Sequence, residues 1–170
     1  MCGLFGGICI DAEHATTFTT TVTAMGRHSE ERGRDSSGIA FRETPTAATS
    51  DDTEFCDYTT PTTENSTSSR TTIDGIHTLR GIGHFSNLPL QHLPTSATHH
   101  LLMGHTRAAS QGDVDDYANT SPLHIGAITG AHNGDVSATS VPVSKTAALL
   151  ITGETDSAHV FAAMHTANNN

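Results

Sequence analysis

The chain begins Met1-Cys2-Gly3, which places a thiol one position from its start. Removal of an initiator methionine before a small residue such as cysteine would leave a thiol and a free α-amino group on the same residue. An α-amino group has an unperturbed pKa of about 7.7 to 8, which suits general base work near neutral pH. Because a thiol is intrinsically nucleophilic, Cys2 is a candidate N-terminal nucleophile with its own base. The plainer interpretation is a small buried cysteine at the start of the chain.

Two further segments carry polar groups that could surround such a nucleophile. Residues 32 to 38, Arg-Gly-Arg-Asp-Ser-Ser-Gly, form a polar loop whose glycines permit close backbone approach. In residues 104 to 112, Arg107 and Ser110 stand three positions apart after an apolar strand. Such a pair could hold a carboxylate, with arginine supplying a bidentate fork. Taken alone, the first segment is only a turn.

Two more candidates lie toward the end of the chain. In His132-Asn133-Gly134, a side-chain amide and an adjacent backbone N–H can point at one developing oxyanion. Residues 153 to 156, Gly-Glu-Thr-Asp, place Asp156 at the entrance of a predicted final helix. The plainer interpretations are a hairpin turn and a helix N-cap.

Apolar runs and helical periodicity predict the elements that position these residues. The run over residues 3 to 10 predicts a buried strand, and Phe18, Val22 and Met25 recur at helical spacing, which predicts a helix to about Glu31. Further strands are predicted over residues 36 to 41, 101 to 103 and 125 to 131, with a loop from Gly104 onward. A final helix is predicted from the shared face of Ser157, Val160, Phe161 and Met164.

The segment from residue 43 to about 75 is a mixture of Thr, Ser, Asp and Glu with almost no apolar residues. Such a composition predicts a mobile, low-complexity loop. The chain as a whole has 170 residues, a length that predicts one domain over residues 1–170 with its own hydrophobic core.

Charge and cysteine content limit the environment and the partners. The net charge is -10 and Lys145 is the only lysine, which argues against a nucleic-acid partner because such proteins cluster Lys and Arg on phosphates. The same composition fits either adaptation to high salt or ordinary solubility. Cys2, Cys9 and Cys56 show no paired spacing, so a reducing cytoplasm is expected. Neither a membrane span nor a signal peptide is indicated.

Histidine is abundant, with 12 residues, and His99-His100 together with His105 invite a metal hypothesis. No HExxH motif and no Cys-His ligand spacing occurs in the sequence. We therefore expect no metal and no cofactor.

In this order, the five segments resemble the class II glutamine amidotransferases, a family with an N-terminal nucleophile. The likeness runs from Met1 to about Met164, outside the threonine-rich segment, and is closest to the glutaminase domain of the glucosamine-6-phosphate synthases. It implies an α+β fold, a four-layer αββα sandwich of the N-terminal nucleophile hydrolase type, truncated at the C-terminus. It also implies hydrolysis of L-glutamine through a cysteine thioester.

The resemblance assigns roles by position. Cys2 matches the nucleophile, Arg32 and Gly33 match residues that shape the site, and Asn133 with Gly134 matches the oxyanion hole. For the amino-acid substrate, Arg107 matches the residue that holds the α-carboxylate and Asp156 the one that holds the α-ammonium, while Ser110 stands where a carboxylate-binding threonine is usual.

The chain departs from the family pattern at three positions. Ala108 replaces a tryptophan, Gln111 a histidine and Ala158 a glutamate. The lost tryptophan concerns the lid over glutamine, and the nucleophile and oxyanion hole remain.

The expected partners are L-glutamine and a separate, acceptor-carrying synthase subunit that receives the ammonia. The alternative is a catalytically silent module of the same fold that senses glutamine or binds a partner. An acylase acting on another amide fits less well, because Arg107 and Asp156 together specify a free amino acid.

Overall fold

The computed structural model describes residues 1–10, 12–43, 68–73, 75–92 and 99–168. Its architecture is α+β, with antiparallel strands and few helices. In chain order the elements are β1 (Gly3–Ile8), α1 (Ala15–Ser29), β2 (Ser36–Glu43), β3 (Ser68–Ile73), β4 (Ile76–Ile82), β5 (His99–Arg107), β6 (Leu123–Ile125), β7 (Ile128–Gly130), α2 (Lys145–Ala148) and α3 (Asp156–Asn168), with short 3-10 helices between some of them.

The main sheet has five strands in the order β1-β5-β2-β4-β3, and every pairing is antiparallel. Strand β5 lies between the first two strands of the chain: Thr106 is opposite Gly3 of β1, and Arg107 is opposite Ser36 of β2. This register brings the N-terminus and the polar segment at residues 32 to 38 to the same end of the sheet.

Helix α1 packs on one face of this sheet. Gly104 faces the ring of Phe5, and the Thr106 hydroxyl donates to the Ser29 carbonyl at 2.7 Å. Because side chains alternate along a strand, His105 and Arg107 face the other side. The core under α1 consists of buried apolar side chains, Phe5, Val22, Ile39, Phe41, Leu79, Phe85, Leu88 and Leu102.

A second apolar cluster lies around the hairpin of β6 and β7. Leu123 and Ile125 pack with Ala158, Phe161 and Ala162 of α3. The short helix α2 is capped by Ser144, whose hydroxyl accepts the Ala147 N–H at 3.1 Å. This cluster holds the N-terminus of α3, and therefore Asp156, in place.

The predicted elements β1, α1, β2 and α3 are present, but β1 is an edge strand with Leu4 and Ile8 exposed, so the prediction of a buried strand is wrong. The end of the predicted low-complexity loop is also wrong. Residues 44 to 67 lie outside the described residues, whereas Ser68–Ile73 forms the edge strand β3 paired with β4. Gly75, with φ of 72°, lies in the turn between them. An Asp-Gly pair is strong hairpin chemistry, and the edge strand is held by backbone pairing rather than by apolar side chains.

Two other predicted boundaries also differ. The loop expected from Gly104 is wrong, because β5 continues to Arg107 through pairing with both β1 and β2. The single strand expected over residues 125 to 131 is a hairpin of β6 and β7, broken at Gly126 with φ of 58°. Among the described residues, no helix combines the length and apolar character needed to cross a membrane.

Replacing Phe85 by alanine tests the core under α1. The Phe85 side chain is 0% exposed and its ring meets that of Phe5 edge to face, with centroids 5.3 Å apart. Phe85→Ala should lower the free energy of unfolding by about 3 to 5 kcal/mol in urea denaturation. Phe18→Ala, at the rim of the same cluster, is the matched control and should cost less; equal losses would contradict this description of the core.

Candidate active site

A pocket lies where the ends of β1 and β5 approach the N-terminus of α3. It has about 330 Å³ of empty volume, including its solvent-open mouth. Five of the eight candidate residues line it, namely Cys2, Arg107, Ser110, Gly134 and Asp156. The other three, Arg32, Gly33 and Asn133, adjoin it through contacts with Cys2 or with the end of β5. Residues from five distant segments thus meet at one place.

The Cys2 thiol is half-buried and lies against the backbone of Ala108. Its sulfur accepts the Ala108 N–H at 3.3 Å and can donate to the Ala108 carbonyl at 3.4 Å. A thiol is a weak donor and a weak acceptor, so these contacts orient the side chain without burying it. Gly3, the next residue, has no room for a side chain: a Cβ there would lie 2.6 Å from Thr106 Oγ1 and 2.8 Å from Ser29 Cβ.

The carbonyl oxygen of Cys2 accepts two hydrogen bonds. Arg32 Nε donates at 3.0 Å and Asn133 Nδ2 donates at 3.0 Å. The segment after α1 and the loop after β7 are therefore both fixed to the backbone of the nucleophile candidate. The structure places Arg32 and Asn133 beside Cys2, at its backbone rather than at its sulfur.

Gly33 is required by close backbone approach. A Cβ at this position would lie 2.6 Å from the Thr106 carbonyl oxygen and 2.7 Å from the Ala108 nitrogen. A real Cβ does not come so close to backbone, so any side chain at position 33 would push the end of β5 away from Cys2. Close backbone approach is the role that the sequence predicted for the glycines of residues 32 to 38.

Asp35 has a positioning role that the sequence analysis did not assign. Its carboxylate accepts the Ala109 N–H at 2.7 Å, and its own N–H donates to the Arg107 carbonyl at 3.0 Å. Asp35 therefore fixes the strand end on which the candidate substrate-binding residues stand. The only sequence signal was an acidic residue within a glycine-flanked polar segment.

Arg107 is buried, and its guanidinium is turned onto its own loop. It donates to the carbonyls of Gln111, Gly112 (3.2 Å) and Asp113 (3.4 Å). Burial lowers the pKa of Arg107, and nearby anionic groups, Asp35 first, oppose that shift. An arginine remains charged in proteins, so Arg107 both shapes the loop and supplies positive charge to the pocket. Ser110 lies on this loop, exposed at the pocket mouth.

Asp156 begins α3 and is buried. One carboxylate oxygen accepts the Val136 N–H at 2.8 Å, and the other accepts the Ser157 N–H at 2.8 Å. His132 Nδ1 lies 3.9 Å from the first oxygen. An acid in the first turn of a helix is stabilised by the helix dipole, and Asp156 is the first residue of α3. Asp156 also lines the pocket.

His105 lines the pocket and was considered from the sequence only as part of a metal hypothesis. The residue is 2% exposed, and neither ring nitrogen has a hydrogen-bond partner among the described residues. Burial, then the charges of Arg107 and His132, lower the pKa of His105 to about 4, so the ring is neutral at neutral pH. The side chains of His99 and His100 lie outside the described part of the structure. Within the described part, no three His, Cys, Asp or Glu side chains cluster as a metal site.

The lowered pKa of His105 predicts a pH-dependent stability. Between pH 6.5 and about 4 the unfolded chain binds a proton that the folded chain excludes. Stability therefore rises with pH across that window and falls as the medium is acidified, with a contribution on the order of 3 kcal/mol. Urea denaturation from pH 7.5 to 4 should show a shallower pH dependence for His105→Leu than for the wild type. His28, which is exposed, provides the control. The free energy of unfolding of His28→Leu should change with pH as it does in the wild type.

Comparison with models of known families, with curated proteins and with solved structures gives no match to this chain. The functional argument therefore depends on the pocket residues, their contacts and the motifs that supply them.

Proposed function

We propose that the chain is a glutaminase that hydrolyses L-glutamine to glutamate and ammonia through a thioester on Cys2, as in class II glutamine amidotransferases. The observation that carries the proposal is the convergence of Cys2, Arg107 and Asp156 in one pocket, with Asn133 bound to the Cys2 carbonyl. A half-buried nucleophile, a cation, an anion and an amide donor are the groups that hydrolysis of a free amino acid's side-chain amide requires.

The nucleophile depends on processing of the first residue. Met1 is 87% exposed, which leaves it accessible to an aminopeptidase. After its removal, the Cys2 α-amino group takes the thiol proton, directly or through water, and the thiolate attacks the carboxamide carbon. Collapse of the tetrahedral intermediate releases ammonia and leaves a γ-glutamyl thioester, which water hydrolyses to glutamate and the free thiol.

Asn133 and Gly134 are the proposed oxyanion donors. A side-chain amide nitrogen carries two N–H groups, and one of those on Asn133 donates to the Cys2 carbonyl. That bond holds the amide next to the nucleophile, so the second N–H can meet the oxygen of the tetrahedral intermediate. Gly134 lines the same pocket and contributes its backbone N–H.

Arg107 and Asp156 are proposed to bind the charged ends of the amino acid. They carry opposite charges in one pocket, which matches the α-carboxylate and the α-ammonium of a zwitterion. A guanidinium has five N–H donors, so Arg107 can bind a carboxylate in addition to loop carbonyls or in exchange for them. The Ser110 hydroxyl at the pocket mouth is positioned to share that carboxylate.

The arrangement of layers supports the proposed four-layer sandwich. Helix α1 covers one face of the main sheet, and the segment leading into β6 lies against the other. There Arg80 Nη1 donates to the Thr120 carbonyl at 3.0 Å, and a Cβ on Gly38 would collide with the Ser121 carbonyl. The hairpin of β6 and β7 with α3 would form the third and fourth layers.

The second candidate is a glutamine-binding module without catalysis. It is favoured by the bonds of Arg32 and Asn133, which go to the backbone carbonyl of Cys2 rather than to its sulfur. Release of glutamate from glutamine separates the two functions, since only the glutaminase produces it. A separate synthase that accepts the ammonia remains part of the proposal.

An N-terminal tag left in place should abolish glutamate release, because the Cys2 α-amino group would then be in a peptide bond. Mass spectrometry establishes whether Met1 is absent, and a coupled glutamate assay measures turnover. Cys2→Ser should be far slower than wild type, whereas Cys9→Ser, a second cysteine in the same part of the chain, should keep most of the activity. Undiminished turnover by a chain with a verified blocked N-terminus would overturn this mechanism.

Asn133→Ala should lower kcat by about 100- to 1000-fold, the usual cost of losing one oxyanion donor. Arg107→Lys should mainly raise KM, because lysine offers a point charge in place of a planar fork. Asn87→Ala, at an exposed position, is the matched control and should leave both constants near wild type. An Asn133→Ala variant within twofold of wild type would remove Asn133 from the oxyanion hole.

A further inference from the structure

Two buried polar side chains in the pocket have no hydrogen-bond partner. They are His105, 2% exposed with both ring nitrogens unpartnered, and Thr155, 6% exposed with its hydroxyl unpartnered. Among the described residues, four buried side-chain polar atoms lack a partner, and three of them belong to these two residues. Both residues line the pocket that contains Cys2.

This concentration indicates a function, because buried polar groups in native proteins are nearly always hydrogen-bonded and each exception is costly. A valine at position 155 or an aliphatic residue at position 105 would fill the same space without that cost. The polar atoms would therefore be stabilising only with a ligand that pairs with them.

The sheet register places His105 within reach of the reacting group of a ligand. Leu4 is directly opposite His105, and Cys2 stands two residues before Leu4 on the same face. Diagonal neighbours across an antiparallel pair are about 7 to 8 Å apart. A separation of this size is within reach of a ring side chain. Because Cys2 and His105 both line the pocket, a small polar group of a ligand can contact both.

The donors and acceptors of this part of the pocket suit a neutral group. A neutral imidazole offers one N–H donor and one acceptor nitrogen, and a threonine hydroxyl can do both. A carboxamide also has both, in its NH₂ and its carbonyl. A carboxylate has acceptors only, so it would leave the acceptor nitrogen of the ring buried and unpaired.

We propose that His105 and Thr155 form a receptor for the substrate's carboxamide, which selects the amide over the carboxylate. The inference rests on the proposed glutaminase function and explains how that site would select glutamine over glutamate. Glutamine would be held by its amide, and glutamate, which has lost the NH₂ group, would bind more weakly and leave. His105 and Thr155 thus contact the substrate without exchanging protons with it.

The test measures binding of L-glutamine and L-glutamate by calorimetry to processed chain carrying Cys2→Ala, which prevents turnover. The unsubstituted receptor should prefer glutamine, and adding His105→Leu should reduce that preference about tenfold or more. Thr155→Val should reduce it less, and His105→Asn, which keeps a donor and an acceptor, should retain part of it. The exposed His28→Leu is the matched control and should change nothing.

Thermal unfolding of the same variants without ligand separates this role from a structural one. Removing an unpaired buried polar group in favour of an apolar one is neutral or stabilising, so His105→Leu and Thr155→Val should unfold at the same or a higher temperature than the parent chain. Loss of stability in both variants would mean that the groups are satisfied within the fold, for example by water, and would overturn the receptor.

The remaining outcomes distinguish the two proposals. If the chain hydrolyses glutamine, and both the His105→Leu and the Thr155→Val variants still prefer glutamine over glutamate, the glutaminase proposal stands and the receptor proposal is wrong. If the preference for glutamine depends on His105 but the chain releases no glutamate, the receptor proposal stands and the glutaminase proposal is wrong. Absence of binding to either amino acid overturns both.

Discussion

The position of β5 between β1 and β2 is the constraint on which the pocket depends. Its backbone is paired on one side with the first strand of the chain and on the other with β2, so two separate ladders of hydrogen bonds fix its register. A slip of one residue in either pairing would turn every side chain to the opposite face. The separation of an apolar face under α1 from a polar face at the pocket is therefore a property of this strand.

Short backbone contacts fix the end of β5 and the loop after it, which form one wall of the pocket. Gly33 lies against the end of β5, and Asp35 holds the Arg107 carbonyl with its N–H and the Ala109 N–H with its carboxylate. Arg107 in turn closes the loop after it through three carbonyls. These contacts place the charged side chains by fixing the backbone that carries them.

Sequence patterns predicted the elements that have an apolar face packed against the core. They failed for strands that are held only by backbone hydrogen bonds to a neighbouring strand. The periodicity of Phe18, Val22 and Met25 predicted α1, and Phe18 and Val22 pack against the core, whereas Met25 is exposed. Strand β3 has no apolar face, so nothing but its Asp-Gly turn distinguished it from a loop. Five of the eight candidate site residues line one pocket and three lie beside it. Asp35 is notable for its hydrogen bonds and His105 for its burial, and both properties are set by the tertiary fold.

The pairing of β1 with β5 also sets an order of events during synthesis. Gly3 is opposite Thr106, so the first strand has no partner in the sheet until more than 100 further residues have been made. At about 5 to 20 residues per second, the N-terminus waits roughly 5 to 20 s for that partner. During this interval the first strand lacks its partner, and pairing afterwards buries Gly3 and half-buries Cys2. A slow, non-local strand pairing thus gives time for the cleavage that the proposed chemistry needs.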